Sequence, residues 1–122
     1  LDRTIILGDD LIVTDRDRLA RAAETKAVDG FILKPNQVGT ITEALDTHAY
    51  AVDHGMISVP SGRSGGVIDD IVMDLSVGLQ VPFQKNGAPR SGERIEKLNF
   101  LMRAAEAIPD CALYDVPSLV RF

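Results

Sequence analysis

Gly30-Phe31-Ile32-Leu33-Lys34-Pro35-Asn36-Gln37-Val38-Gly39-Thr40 is the stretch that decides how this sequence reads. Its first five residues form an apolar run that is too short for a helix and is bounded by turn-forming residues. The run does not alternate, which suits a strand covered on both faces. It ends on a lysine. Thr40-Ile41-Thr42-Glu43 then fits a capping box, in which a hydroxyl and a carboxylate satisfy free N–H groups at a helix start. The unit is strand, chemical residue, loop, helix.

The same unit recurs along the chain. Thr4-Ile5-Ile6-Leu7 precedes Gly8-Asp9-Asp10, Met56-Ile57-Ser58-Val59 is a third run, and Leu79-Gln80-Val81-Pro82-Phe83 stands where a fourth belongs. The starts fall near 5, 31, 57 and 80, spaced by 26, 26 and 23 residues. That leaves room for one helix per strand. Pro82 cannot donate to a ladder, so the fourth strand's pairing is expected at or beside Gln84-Lys85. A helical pattern, mostly apolar, follows each run: Leu19, Ala22, Ala23 and Lys26; then Ile41, Ala44, Leu45, His48, Ala49 and Val52; then Ile68, Ile71, Val72 and Leu75; then Ile95, Leu98, Leu101, Met102, Ala105 and Ile108. Ser91 is placed to cap the last helix, and Gly55 and Gly78 to close earlier ones. Asp69-Asp70 reads as the opening of the third helix, where the macrodipole favours acid.

Repeated strand–helix units imply parallel strands, because each helix must cross back over the sheet. Four such units are either a small doubly wound domain or half of a (β/α)8 barrel. Standing alone, they would leave two sheet edges open.

In both architectures active sites form at the C-terminal strand ends. Those ends carry Asp9-Asp10, Lys34, Ser61-Gly62-Arg63-Ser64 and Lys85. Each could be ordinary: an Asp-Asp pair more often opens a loop than binds metal, and a strand-end lysine often snorkels to solvent. Four coincidences at four successive strand ends favour one shared site, suited to a metal and an anionic substrate. His48 and His54 lack ligand neighbours at useful spacing and read as structural. The mixed charges of Arg90, Glu93, Arg94, Glu96 and Lys97 read as a solvated face.

Composition sets limits. The chain has 122 residues, 45 % hydrophobic and 25 % charged, with net charge −5. An acidic chain is a poor sequence-independent binder of nucleic acid, which needs a basic surface. No apolar run reaches the roughly 18 residues that span a bilayer, and no signal peptide is evident. Cys111 is the sole cysteine. With no partner for an internal disulfide, it fits a reducing, cytoplasmic setting. The first residue is Leu1 and the strand pattern begins almost at once, which suggests a processed chain or a segment of something longer.

Taken together the motifs resemble a known family. Gly8-Asp9-Asp10-Leu11-Ile12-Val13-Thr14 resembles the GDDLxVT segment of enolases, and Leu33-Lys34-Pro35-Asn36-Gln37-Val38-Gly39-Thr40 their LKxNQxGT segment. Ser61-Gly62-Arg63-Ser64-Gly65 is similar to SHRSG. Lys85-Asn86-Gly87-Ala88-Pro89, with Arg94 and Leu98-Asn99, resembles KTGAP…R…LN. The order is kept to about Pro109. The resemblance implies an α/β chain, residues 1–122, forming the C-terminal half of an enolase-type TIM barrel, with the N-terminal domain and first half-barrel supplied elsewhere.

It further implies reversible dehydration of 2-phosphoglycerate to phosphoenolpyruvate with Mg²⁺. By position, Asp9 matches a magnesium ligand and Lys34 the base that removes the C2 proton. Ser61, Gly62, Arg63 and Ser64 match the substrate-binding segment, with Arg63 and Ser64 on the phosphate, and Lys85 a contact to the substrate carboxylate. A lysine base with Mg²⁺ stabilising an ene-diolate is the established enolase-superfamily pattern. Carboxylates suit hard Mg²⁺, and a guanidinium fork suits phosphate. A homo-oligomer is expected, while half a barrel by itself is expected to be inactive. The pattern departs at Gly62, where the family has histidine, at Gly66-Val67-Ile68, and at Pro35. Those departures leave open a paralogue acting on another phosphorylated or phosphonate acid, or a non-catalytic relative.

Overall fold

The structure, a computed structural model, describes residues 4–119. At its centre lies β2 (Gly30–Leu33), buried along its whole length. β1 (Leu7–Gly8) and β3 (Ile57–Pro60) pair with it on either side, both parallel, giving the order β1-β2-β3. Glycine is required at position 30. A β-carbon there would lie 2.1 Å from the Ile57 carbonyl oxygen, so any side chain would push β3 away.

The fourth strand is reduced to a single parallel bridge between Ser61 and Lys85. Residues 79–83, which the apolar run suggested, do not pair. Pairing falls instead on Lys85, beyond the proline, as the missing donor of Pro82 requires.

Around the sheet stand α1 (Arg16–Glu24), α3 (Ile41–Asp53), α4 (Val72–Gly78) and α5 (Gly92–Ala107), with the short turns α2 (Pro35–Val38) and α6 (Val116–Leu119). Asp15 caps α1 by accepting from Arg18 N–H at 2.8 Å. Thr40 caps α3 by accepting from Glu43 N–H at 3.1 Å, and its hydroxyl donates to the Glu43 carboxylate at 2.7 Å. α2 went unforeseen because four residues are too few to show periodicity; Pro35 starts it and Gly39, at φ 111, ends it.

Phe31 and Leu33 point to the helix side and meet Leu19, Ala51, Leu75 and Ile12 in the core. α1 packs on α3, and α4 packs on β3 and α5. The opposite face of β2 carries Ile32 and then Lys34. The strand period of two thus separates the core from the chemistry.

Several local expectations need correction. Asp69 and Asp70 precede α4 rather than opening it. Asp69 adopts φ 62, and Asp70 turns back to accept from Val72 N–H at 3.1 Å. Gly78 is the last residue of α4, and the left-handed position falls on Gln80, at φ 51. Ser91 makes no side-chain cap; its hydroxyl donates to Glu93 Oε1 at 2.6 Å. His48 is a structural residue, its Nδ1 lying 3.0 Å from Ser58 Oγ.

The apolar stripe of α5 is not buried. Ile95, Leu98, Met102 and Ile108 are all exposed, as are Leu11, Val67 and Ile68. So many large apolar groups in water favour association. The 122-residue chain prepared alone is expected to self-associate and to bind a hydrophobic dye such as ANS, measured by light scattering and fluorescence. A dye-silent monomer with a sharp, high melting transition would contradict this.

Candidate active site

Three strand ends meet at one carboxylate. Asp9 follows β1, Lys34 follows β2, and Lys85 stands at the bridge beyond β3. The Lys34 ammonium donates to Asp9 Oδ1. Lys85 Nζ lies 3.6 Å from the other oxygen, Oδ2. Asp10 is more remote: its carboxylate is 3.5 Å from Lys34 Nζ and accepts from Gln37 Nε2 at 3.4 Å. Asp10 is largely exposed, whereas Lys34 is 8 % exposed. A lysine so buried is stable only with its charge paired, which excludes the snorkelling alternative.

A network fixes Lys34 from behind. Its backbone N–H donates to the Thr14 hydroxyl at 2.8 Å, and that hydroxyl lies 3.3 Å from the Ile32 carbonyl. The Thr14 carbonyl in turn accepts from Thr47 Oγ1 of α3 at 2.9 Å. Thr14 is fully buried and left-handed, at φ 58, beside Val13 at φ 49. A β-branched residue in that region costs about 1–3 kcal/mol. The hydrogen bonds on both sides of Thr14 hold it there. The sequence placed Thr14 at the end of the GDDLxVT-like segment but did not mark it for this part.

Lys85 is more exposed, with 57 % of its side chain open. The Gln84 Oε1 and Asn86 Oδ1 oxygens flanking it are buried without hydrogen-bond partners among the described residues. Ser61 is buried, bridged to Lys85, and its hydroxyl donates to the Gly62 carbonyl at 3.1 Å. Gly62 N–H donates to the Lys85 carbonyl at 3.0 Å.

Arg63 and Ser64 are not brought to the cluster. Both are exposed, and among the described residues neither side chain forms a hydrogen bond or ion pair. Arg63 lines a neighbouring open groove of about 470 Å³ with Asn36, Thr40, Gly65, Gly66 and Asp70.

Lys97 contradicts the solvated face expected of it. It is 5 % exposed, and its ammonium binds Asp70 Oδ2. The mixed charges around it in sequence resemble an ordinary surface. Its partner is 27 residues away, so no local signal marked it.

Burial tends to raise the Asp9 carboxyl pKa, but hydrogen bonds and charge from Lys34, with Lys85 behind it, hold it below the ordinary aspartate value. A depressed carboxyl contributes stability that is present above its unfolded pKa and is lost as pH falls through the folded value. Asp9 is partly exposed, so solvent screening keeps the contribution modest. Urea unfolding between about pH 5 and pH 3 should therefore show stability falling with pH, and a shallower fall in Asp9→Asn. Equal slopes would remove Asp9 from the ion cluster.

Among the described residues no group of three or more His, Cys, Asp or Glu could hold a metal. No helix of the described residues is long and apolar enough to cross a membrane. What the arrangement offers is one carboxylate for a hard cation and two ammonium groups for an acid.

Comparison with known proteins identifies the family. The chain is 44 % identical over 113 residues to an enolase of Beutenbergia cavernae, covering 93 % of this chain and 26 % of that protein. An enolase of Aeropyrum pernix is 43 % identical, with coverage of 95 % and 27 %, and one of Methanothermobacter thermautotrophicus 42 %, with 95 % and 28 %. The chain thus spans about a quarter of the length of the curated relatives it matches. The family described as enolase, C-terminal TIM barrel domain, matches residues 1–121. With that match over nearly its whole length, the chain belongs to the enolase C-terminal barrel family.

Proposed function

We propose that residues 1–122 serve as the C-terminal half of an enolase-type barrel within a longer protein. That protein is a magnesium-dependent lyase that reversibly dehydrates 2-phosphoglycerate to phosphoenolpyruvate, as in glycolysis, in a reducing cytoplasm and as a homo-oligomer. The observation that carries this reading is the convergence of Lys34 and Lys85 on Asp9 from three strand ends. The uncovered stripe of α5 supports a larger barrel.

The residues fit part of a magnesium site. Asp9 supplies the hard carboxylate oxygens that Mg²⁺ prefers, and that ion commonly takes only one or two carboxylates beside water and substrate oxygens. Asp9 would hold it, with the remaining ligands from outside these residues. Bound magnesium supplies positive charge against the extra negative charge that builds on the substrate carboxylate when the neighbouring proton leaves.

Lys34 acts on that proton. Its backbone is fixed by Thr14, so its amine is confined to the mouth beside Asp9. To serve as base it gives up a proton and then takes the C2 proton of the substrate. Lys85, more open, meets the substrate carboxylate. Arg63 takes the phosphate from the adjoining groove, with its guanidinium fork matched to the phosphate oxygens and the exposed Ser64 next in the chain. The hydroxyl leaves C3 as water, with its proton supplied by an acid outside this segment.

A second reading follows from Gly62. Without the family's histidine the pocket lacks a polar group beside the substrate, and a related phosphorylated or phosphonate acid becomes the substrate. A substrate panel separates the two.

The test is turnover by the protein at its full natural length. Lys34→Ala should lower kcat by about 10²–10⁴-fold with the fold intact by circular dichroism. The 122-residue chain alone should show no hydratase activity with Mg²⁺. Turnover by that chain, lost on Lys34→Ala, would refute the half-site reading. Full turnover by Lys34→Ala in the longer protein would refute the role of Lys34.

A further inference from the structure

The second buried ion pair lies just behind the first site. Lys97 leaves α5 and runs beneath Gly62, where a β-carbon would stand 3.0 Å from Lys97 Cε and 3.7 Å from Cδ. Its ammonium ends on Asp70. Asp70 is also tied to the start of α4 through Val72 N–H, and it lines the groove on which Arg63 stands. Gly62, at the other end of that loop, donates its N–H to the Lys85 carbonyl. One side chain from α5 therefore touches both ends of the 62–70 loop. Between those ends the loop is lightly held: Gly66 N–H reaches the Arg63 carbonyl at 3.1 Å, and the Arg63 and Ser64 side chains are open to solvent.

We propose that Lys97 is a positioning residue: its stem under Gly62 and its ammonium on Asp70 fasten the 62–70 loop and set where Arg63 and Ser64 stand for a phosphoryl group. The proposal rests on the reading above for what the loop binds. It also gives Gly62 a physical role. A side chain there would crowd the stem of a lysine that is 5 % exposed and ion-paired, so glycine at 62 and the buried path of Lys97 belong together.

A lysine that merely joined α4 to α5 would act on stability alone. Three variants of the full natural chain separate the two roles. Lys97→Met keeps the stem and removes the charge, Asp70→Asn removes the acceptor charge, and Lys97→Arg restores a cation. Amide hydrogen exchange and steady-state kinetics with 2-phosphoglycerate are then compared.

Lys97→Met and Asp70→Asn should each speed exchange of the hydrogen-bonded Gly62 and Gly66 amides by about tenfold or more while β2 amides keep their rates. Each should raise KM by about tenfold, with kcat within about threefold of wild type, the pattern of lost substrate binding. Lys97→Arg should recover most of both. Exchange rising equally in β2, or a KM within about twofold of wild type, would overturn the proposal. If Lys97→Met does not fold, Asp70→Asn supplies both readouts. A wild-type protein that does not turn over 2-phosphoglycerate sinks the enzymatic reading, and exchange at Gly62 and Gly66 still decides for or against the fastening.

Discussion

Asp9 is shared. One carboxylate receives the ammonium of Lys34 on one oxygen and faces Lys85 with the other, and these three residues come from different βα units. Lys34 is nearly buried. Removing a charge from water costs several kcal/mol unless a partner returns most of it. The strand ends must therefore stay in register, or a buried lysine is left without its counter-charge. The parallel pairing of β2 with β1 and β3, the glycine at position 30 and the strained Thr14 all serve that register.

The same economy of space runs through the loop after β3. Glycine at 62 permits a lysine stem where a side chain would otherwise sit, and that lysine meets an aspartate at the far end of the loop. Two lysine–aspartate pairs thus lie near the same rim. On the function proposed above, one acts on a substrate and the other holds the loop that grips it. Both pairs join residues more than twenty positions apart.

Much of this was legible in the residues. Strands at Gly30 and Ile57 stood out because a short unbroken apolar run between turn residues fits a buried strand and is too short for a helix. The αβ repeat followed from their spacing. The parallel rule then put Asp9, Lys34 and Lys85 at one rim without any coordinates. What stayed hidden depended on distant partners. Lys97 sits among charges that imitate a surface, and Thr14 matters only through contacts to β2 and α3. Helix α4 begins later than the apolar pattern of residues 68–75 suggested, with Asp70 ahead of it accepting from Val72 N–H. The stripe of α5 marks the right face but not what covers it. Arg63 and Ser64 were grouped with the cluster because they follow the third strand, whereas the loop carries Arg63 to the adjoining groove and leaves Ser64 exposed.

Asp9 and Lys34 must act as one unit for this site to work, and a double-mutant cycle measures that directly. Asp9→Asn, Lys34→Met and the double variant would be unfolded in urea at neutral pH in the full natural chain. Non-additive losses are predicted, with a coupling of roughly 1 kcal/mol or more, since residues in one buried ion network interact by about 0.5–3 kcal/mol. Losses that simply add would mean the two side chains do not depend on each other, and would contradict the shared-carboxylate site.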